Sequence, residues 1–349
     1  MTQTSGKPDI HDIAKVYELI SGVASTAVTC AAVDLGLFDA FDAFDTEVVA
    51  ADELAALVGA DPDGVNRLLR ALAARGLVDQ VGDRAYRRRA ASYLLRTNGV
   101  SSAADVCRLL DWSLEMWQHL GVAVRTGSSV FPLVYGKHLY EYLATDAPES
   151  AELFNRAMAN NTELSIGQAV NLLDMTGVDT VADIGGGGGR LLREVLERNP
   201  TTHGVLFDLE PVLRGTDSAL ARSGRLADRV ELVSGDFRRS VPVKADLYLI
   251  KQVLHNWDDD TAVGILSNIA ASAPAGARVV AMELMIGGGG PLDTVHTSMD
   301  LLMLLFLGGK ERTEREFADL FRRAGLDFTG VAKVADGLVT LVEGGVRPR

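Results

Sequence analysis

The stretch VADIGGGGGRLLREVL, residues 181–196, decides the fold of this chain. An apolar run is followed by five glycines and then by leucine and valine at helical spacing, which predicts a buried strand, a turn and an amphipathic helix. Because glycine has no Cβ, such a turn brings main-chain N–H groups and a helix N-terminus close to a small ligand. The stretch therefore predicts the first strand, turn and helix of an α/β ligand-binding domain.

The spacing of these glycines excludes the dinucleotide fingerprint. The pattern G-x-G-x-x-G needs a glycine five residues after the first, and residues 190–192 are arginine and leucines in all three registers. The chain instead carries G-x-G-x-G at Gly185, Gly187 and Gly189, with Asp183 before it. This form resembles the loop that binds S-adenosylmethionine (SAM) in Rossmann-like methyltransferases. A nicotinamide dehydrogenase is therefore the weakest of the candidate functions.

Length, composition and net charge limit the kinds of protein that this chain can be. The 349 residues predict two domains with a sizeable core, and 47% hydrophobic with 23% charged residues is typical of a soluble globular protein. The formal net charge of −13 argues against nucleic acid as a partner, because binding phosphates requires an excess of Lys and Arg. We expect a small-molecule partner.

Cysteine usage and hydropathy predict a cytoplasmic protein without a membrane segment. The two cysteines, Cys30 and Cys107, are too few for a disulfide framework and lack zinc-ligand spacing, so we expect reduced thiols and no metal. Residues 1–12 have no signal-peptide character. The most apolar segment, 301–307, is far shorter than a membrane span and is predicted to be a buried helix.

The first hundred residues predict a winged-helix-like domain. A short helix over 51–58 ends at Gly59, and Asp61-Pro62 begins a second helix that Gly76 stops. A hairpin follows, with Val81 to Tyr86 around a tight turn. We therefore predict residues 1–100 as one domain, and 101–349 as a helical linker plus an α/β domain.

The winged-helix pattern is compatible with two functions, DNA binding and dimerisation. Six arginines could face a duplex, but carboxylates at Asp61, Asp63, Asp79 and Asp83 are interleaved with them, and the whole chain is acidic. Dimerisation is favoured, so we expect a homodimer. The arginines are Arg67, Arg70, Arg75, Arg87, Arg88 and Arg89.

From Thr180 onward, strands alternate with helices, which predicts a parallel sheet covered by helices. Because ligands bind beyond the carboxyl ends of such strands, the residues that follow each strand are the candidates for the site. A hairpin around Asp336-Gly337 closes the pattern at the sheet edge. The predicted parallel strands are 181–184, 205–208, 230–233, 247–250 and 279–283.

The strand ends carry an ordered set of polar residues. Asp208 ends the second strand, where a carboxylate can accept ribose hydroxyl groups. Asp236-Phe237 offers a carboxylate and a ring to an adenine. The remaining strand ends carry Lys251, His255-Asn256-Trp257, Glu283 and, after the apolar helix, GGKERT at residues 308–313.

This set resembles the SAM-dependent small-molecule O-methyltransferases of the caffeic-acid type, whose bacterial branch tailors antibiotics and polyketides such as mitomycin and carminomycin. The resemblance covers nearly the whole chain, since those enzymes also carry an N-terminal winged-helix-like dimerisation domain. It implies a class I Rossmann-like methyltransferase domain, SAM as the cofactor and a homodimer.

The resemblance also implies roles for residues. His255 matches the general base, and Glu283 and Glu311 match the acids that orient it. An acceptor pocket is expected around Met158, Asn161, Trp257 and Met303. SAM is expected to contact Gly185, Gly187, Asp208, Asp236, Phe237, Lys251 and Thr162.

Two positions depart from the family pattern. Asn256 stands where an aspartate usually follows the base, and Asn161 stands where plant members have a histidine. The second departure argues against a plant-like phenylpropanoid acceptor.

The sequence therefore predicts methylation of a phenolic or enolic hydroxyl group of an aromatic secondary metabolite. Two alternatives stay open. One is a family member that binds SAM but hydroxylates or decarboxylates its substrate, and the other is a SAM-sensing or DNA-binding regulator.

Overall fold

The computed structural model describes residues 8–99, 102–290, 292–334 and 339–347, with the side chains of 110–113, 161 and 164 left aside. These residues form two compact units. The N-terminal unit comprises those within Met1–Asp111 and Glu152–Asn161, and the C-terminal unit comprises those within Trp112–Ala151 and Thr162–Arg349.

The N-terminal unit is mostly helical and carries a small three-stranded sheet. In chain order, its elements are α1 (Ile10–Ile20), α2 (Gly22–Asp34), α3 (Leu37–Ala40), a 3₁₀ turn (Phe41–Ala43), β1 (Val48–Ala50), α4 (Ala51–Val58), α5 (Pro62–Ala74), β2 (Val78–Gly82), β3 (Ala85–Arg88), a second 3₁₀ turn (Ala90–Leu95) and α6 (Ala104–Arg108).

The winged-helix prediction is confirmed by α4, α5 and the β2–β3 hairpin. Gly59 takes a left-handed φ of 66° after α4, and the Asp61 carboxylate accepts the Gly64 N–H at 2.7 Å to cap α5. Strand β1, which the sequence analysis missed, pairs with β3 through Val49 and Tyr86. Three residues are too few for a strand pattern to be recognised from sequence.

The C-terminal unit alternates strands and helices after a helical lead-in, and α11 passes through both units. The elements are α7 (Leu110–Trp117), α8 (Leu120–Thr126), α9 (Phe131–Tyr135), α10 (Leu139–Thr145), α11 (Pro148–Asn171), β4 (Thr180–Ile184), α12 (Arg190–Arg198), β5 (His203–Asp208), α13 (Glu210–Leu213), a 3₁₀ turn (Ala227–Arg229), β6 (Val230–Ser234), β7 (Leu247–Lys251), a 3₁₀ turn (Leu254–Asn256), α14 (Asp259–Ser272), β8 (Arg278–Glu283), α15 (Asp293–Phe306), α16 (Glu314–Arg323), β9 (Leu326–Lys333) and β10 (Thr340–Val346).

The strands of this unit form one sheet in the order β6-β5-β4-β7-β8-β10-β9. The first five are parallel, and β10 runs antiparallel to both of its neighbours. The chain reverses its direction of winding between β4 and β7, which places a ligand crevice at their carboxyl ends. The predicted Rossmann-like α/β fold is confirmed, and the predicted hairpin turn at Asp336-Gly337 lies outside the described residues.

Both faces of the sheet centre are covered, which explains why the central strands β4, β7 and β8 are almost continuously buried and apolar. Phe207, Tyr248 and Phe317 belong to the core on one side, and Leu192 and Leu247 belong to the core on the other. The strand ends therefore form a rigid platform for the side chains that follow them.

Within the described ranges, no single helix is long and apolar enough to span a membrane; α1 and α2 meet such a test only as a pair, bent by 51°. The apolar segment 301–307 belongs to α15 and its C-terminal turn, where Leu305 and Phe306 are buried, as predicted.

Candidate active site

The glycine turn between β4 and α12 is open on one side and tightly packed on the other. Gly185, Gly187 and Gly189 take left-handed φ angles of 69°, 58° and 81°. A Cβ on Gly186 would lie 2.5 Å from the Asp183 carboxylate and 2.6 Å from Leu206. Three of these positions therefore require glycine for their left-handed backbone conformation, and Gly186 requires it because neighbouring side chains leave no room for a Cβ.

Asp208, at the end of β5, holds this turn in place. Its carboxylate accepts the N–H of Gly187 at 2.8 Å and the N–H of Leu209 at 2.7 Å. Burial raises the pKa of Asp208 despite these two bonds. A buried carboxylate with further acceptor capacity thus lies against the second glycine of the pattern.

Asp183 is a member of the cluster to which the sequence analysis assigned no role. It is buried, and its Oδ2 atom has no hydrogen-bond partner among the described residues. Burial, and then the charge of Asp208, raises the pKa of Asp183 to about 7. An unsatisfied buried acceptor beside the turn is suited to a ligand that brings its own donors.

Asp236 and Phe237 follow β6, where Asp236 binds Arg238 and Phe237 packs against Trp257. The Phe237 ring approaches within 3.2 Å of the position that a Cβ on Gly185 would take, and it meets the Trp257 ring edge-on at 6.4 Å. Arg238 binds both Asp236 oxygens, at 3.0 and 2.8 Å, and covers the Trp257 ring at 5.0 Å. The hydrogen bonds from Arg238 lower the pKa of Asp236.

Lys251, at the end of β7, links α11 with the strand ends. Its Nζ donates to Thr162 Oγ1 at 3.3 Å and to the side-chain carbonyl of Gln252. Burial lowers the pKa of Lys251 to about 8, although the charges of Glu283 and Asp183 oppose this shift. Lys251 is therefore close enough to Asp183 at the glycine turn and to Glu283 beside His255 for both charges to act on it.

His255 lies on the 3₁₀ turn after β7 and is buried between two carboxylates. Its Nδ1 atom is 2.7 Å from Glu311 Oε1 and 3.9 Å from Glu283 Oε2. If Nδ1 carries the proton, it donates to Glu311, and Nε2 is left as the proton acceptor of the neutral ring. Burial lowers the pKa of His255, but the two carboxylates outweigh burial and the pKa ends above its ordinary value.

Glu283 holds the backbone of the same turn. Its Oε1 atom accepts the N–H groups of Val253 at 3.0 Å and Leu254 at 2.8 Å. Burial raises the pKa of Glu283 more than the charge of His255 lowers it. The other oxygen atoms of Glu283 and Glu311 have no hydrogen-bond partner within the described part of the chain.

The ligand atoms of His255, Glu283 and Glu311 lie within 4.8 Å of one another, so they could also surround a metal ion. The expected absence of a metal stays a prediction. Dialysis against EDTA tests it, since activity that needs no metal survives this treatment.

The four residues expected around the acceptor are placed differently. Trp257 lies against Phe237, and Met303 is buried on α15. Met158 belongs to the N-terminal unit and is 40% exposed, whereas the side chain of Asn161 lies outside the described residues. The Asn256 amide group lies 3.5 Å from the Gln252 carbonyl oxygen, so it is engaged with its own turn.

A cavity of about 290 Å³ opens beside α15. It is lined by Trp117 and by one stripe of the helix at spacings of three and four residues, and its lining is mainly apolar. Leu302 directly precedes Met303, which was expected near an acceptor, and helical spacing from Leu302 could have identified the other residues of the stripe. The α15 residues are Thr294, Val295, Ser298, Met299 and Leu302.

The structure adds residues of the 308–313 segment that sequence reasoning left without a role. Arg312 is fully buried, and the N–H of Glu311 donates to Asp300 Oδ1 at 2.9 Å. A charged residue inside a segment that also carries a site residue was the available signal.

Family models match most of the chain. An O-methyltransferase domain model matches residues 117–327, and an O-methyltransferase dimerisation domain model matches residues 17–98. The mitomycin biosynthesis 6-O-methyltransferase of Streptomyces lavendulae is 35% identical over 331 residues, which cover 94% of this chain and 93% of that protein.

Solved structures agree. A methyltransferase of calicheamicin biosynthesis with S-adenosylhomocysteine bound has a TM-score of 0.85 and 28% identity, covering 98% of this chain and 100% of the other. An O-methyltransferase of neocarzinostatin biosynthesis, in complex with SAM and 2-hydroxy-5-methyl naphthoic acid, has a TM-score of 0.74 and 29% identity over 93% and 96% of the two chains. Together with the glycine turn and the residues at the strand ends, these matches show that the chain belongs to the SAM-dependent O-methyltransferases.

Proposed function

We propose that this enzyme methylates a phenolic or enolic hydroxyl group of an aromatic secondary metabolite, with His255 as the general base. The observation that carries the proposal is the 2.7 Å contact between His255 Nδ1 and Glu311. This contact selects the tautomer whose Nε2 atom accepts a proton, as the orienting acid does in a catalytic triad.

The residues of the site fit SAM, which when bound supplies an activated methyl group. The glycine turn has no side chains that would block a ligand. The Asp183 oxygen that has no hydrogen-bond partner among the described residues, and the Asp208 carboxylate, can accept hydrogen bonds from groups of SAM. Asp236 can accept an adenine amino group if it shares its oxygen atoms with Arg238. Because the pKa of Lys251 is lowered to about 8, its repulsion of a positively charged cofactor weakens only at about pH 8 and above, and Thr162 orients its amino group.

The charges around His255 make it a stronger base. A phenol has a pKa of about 10 and an ordinary histidine about 6.5, so full proton transfer would cost about 5 kcal/mol. Glu283 and Glu311 raise the pKa of His255, which narrows this gap, and they stabilise the imidazolium ion as it forms.

The cavity beside α15 supports an aromatic acceptor. Its volume of about 290 Å³ and its mainly apolar lining suit a molecule of one or two fused rings. The relative solved with 2-hydroxy-5-methyl naphthoic acid supports the same class, and the mitomycin relative supports a role in antibiotic tailoring.

A screen of hydroxylated benzoates, naphthoates and quinones with SAM tests the function. The expected product gains the mass of one methyl group in place of a hydrogen. A SAM-dependent product without that gain would favour a hydroxylating or decarboxylating member of the family instead.

The base is tested separately in the full-length protein. His255→Ala should lower kcat by at least about 100-fold, the usual size of a general-base contribution, while calorimetry shows SAM binding unchanged. His203→Ala, at an exposed histidine, is the matched control. Near-normal turnover by His255→Ala would contradict the proposal that His255 is the general base.

We further propose that residues 1–100 form the dimerisation module of a homodimer and residues 101–349 the helical linker and methyl-transfer domain. The dimerisation model over 17–98 and the exposed apolar residues of α1 support this. Ion pairs of the winged-helix arginines argue against nucleic acid as a partner: Arg88 pairs with Asp42, and Arg87 and Arg89 pair with Asp79. The small number of cysteines, Cys30 and Cys107 alone, is too low for a disulfide framework and supports a cytoplasmic location.

A further inference from the structure

The segment that carries Glu311 also carries a buried arginine that the proposed reaction does not use. Arg312 has no exposed surface and is among the largest fully buried side chains described in this chain. Burying a guanidinium group is costly unless its donors are paired. Its partners therefore indicate why an arginine stands here.

The partners of Arg312 lie on both sides of the base. Its Nη1 atom donates to the carbonyl group of Leu254 at 2.9 Å, and its Nη2 atom donates to that of Trp257 at 2.8 Å. Its Nε atom pairs with Asp259 at 2.9 Å, which balances the charge. A planar guanidinium group can bridge two carbonyl groups in this way, whereas a lysine ammonium is a single point charge.

The residues before Arg312 contact the same turn through their backbone. The N–H of Lys310 donates to the carbonyl group of His255 at 2.9 Å. A Cβ on Gly309 would collide with the carbonyl oxygen of His255 and lie 2.6 Å from the carbonyl carbon of Asn256. The 309–312 segment thus contacts the backbone of four consecutive residues, 254–257.

The turn is held from its other side by Glu283, which accepts the N–H groups of Val253 and Leu254. Glu283 and Arg312 together restrain the amide and carbonyl groups of the turn, and Glu311 restrains the His255 ring. A displacement of about 1 Å at a reacting group can cost about 100-fold in rate. The backbone restraints therefore bear directly on proton transfer.

We propose that Arg312 is a positioning residue for proton transfer, which places the His255 ring by binding the carbonyl groups of Leu254 and Trp257. The inference rests on the proposed role of His255 as the base. The competing view is that Arg312 only stabilises the fold. In that case its substitution should lower kcat by the same factor whether or not His255 is present.

A double-mutant cycle on the full-length enzyme separates the two views. The acceptor is 2-hydroxy-5-methyl naphthoic acid, or the best phenol of the screen if that one is not methylated. Arg312→Lys should lower kcat about 100-fold with SAM affinity within about threefold of wild type. In the His255→Ala background the same change should cost less than about threefold, because a misplaced ring no longer matters. Equal losses in both backgrounds would overturn the proposal.

Arg229 provides a matched control. Like Arg312 it binds backbone carbonyl groups, in its case those of Leu196, Asn199 and Thr202 at 2.9–3.1 Å, but at the other end of α12 from the glycine turn. Arg229→Lys should leave kcat within about twofold of wild type. A loss of kcat as large as that of Arg312→Lys would mean that any such arginine is needed for the fold, and would contradict a positioning role.

Proton NMR gives a readout that needs no acceptor. The ring proton shared by His255 and Glu311 should give a far-downfield signal in the wild type and in Arg229→Lys, and lose it in Arg312→Lys. If Arg312→Lys does not fold, Gly309→Ala displaces the same turn and should have the same effect. An unchanged signal in the folded variant would overturn the inference. If the wild type methylates no phenol, the proposed function fails, while this signal still decides the role of Arg312.

Discussion

Nδ1 of His255 lies 2.7 Å from a carboxylate oxygen of Glu311, although the two residues are 56 positions apart in the chain. The contact joins the turn after β7 to the segment after α15. It favours a proton on Nδ1, which leaves Nε2 available for the proposed role as a base toward a bound hydroxyl group.

The activity should fall in acid at a pH set by these carboxylates. The base must be neutral, so kcat/KM is lost as the pH drops through the pKa of His255, which lies above its ordinary value of 6.5. Glu311→Gln removes one raising charge, so the acid limb should move to lower pH while the plateau falls at least about tenfold. A pH profile of kcat/KM measures both effects.

Glu314→Gln is the control for this prediction, because Glu314 is exposed at the start of α16. Its profile should match that of the wild type. An acid limb that does not move in Glu311→Gln would contradict the electrostatic role of Glu311.

The stability of the SAM-free protein should depend on Asp183. Its pKa is raised from 3.8 to about 7, so the folded state binds this proton more tightly than the unfolded state does. The resulting stabilisation is complete below about pH 3.8 and is lost as the pH rises through about 7, a change of about 4 kcal/mol. Asp183→Asn removes this dependence.

Thermal unfolding of both proteins without SAM tests this prediction. The Tm of Asp183→Asn minus that of the wild type should become more positive between pH 5 and pH 8, about the window in which Asp183 ionises. A difference that stays constant would mean that Asp183 is ionised throughout.

Two neighbouring glycines of the turn should respond differently to alanine. A Cβ at position 186 would lie 2.5 Å from Asp183 and 2.6 Å from Leu206, whereas one at position 188 would be no closer than 3.4 Å to any neighbour. Gly186→Ala should cost about 1–3 kcal/mol of stability and weaken SAM binding at least about tenfold. Gly188→Ala should behave nearly as the wild type in calorimetry and thermal unfolding. Similar effects from both substitutions would contradict the close packing around Gly186.

The apolar face of α1 should hold the homodimer together. Ile13, Val16 and Ile20 recur at helical spacing and are 45%, 53% and 71% exposed. Val16→Asp combined with Ile20→Asp should convert the dimer to a monomer in light scattering after size exclusion. Lys15→Ala with Glu18→Ala, on polar positions of the same helix, should leave the dimer intact. A dimer that survives the aspartates would place the interface elsewhere.

Local patterns were sufficient for much of this protein. Strand bounds at the sheet, the glycine turn, the N-cap at Asp61 and the buried helix α15 all follow from periodicity and glycine chemistry, which act over a few residues. The polar residues at the strand ends could be identified because parallel strands bring their carboxyl ends to one edge. The family resemblance then assigned them roles.

Other features were beyond those patterns. Strand β1 is too short to recognise, and Arg238 occupies the Asp236 carboxylate through a contact that no spacing predicts. The cavity beside α15 combines a helix stripe with Trp117, nearly two hundred residues earlier.

The sequence by itself determined the fold and the cofactor class, and it predicted His255, Glu283 and Glu311 as the catalytic group, because each follows from local pattern or from resemblance. Only the tertiary structure decided which group each of these side chains binds. Glu311 binds the His255 ring, Glu283 binds the backbone N–H groups of the turn that carries His255, and Arg312 binds backbone carbonyl groups of the same turn. The physical reason is that hydrogen-bond partners are chosen by distance and direction in space. The sheet order sets both, and no residue spacing along the chain records them.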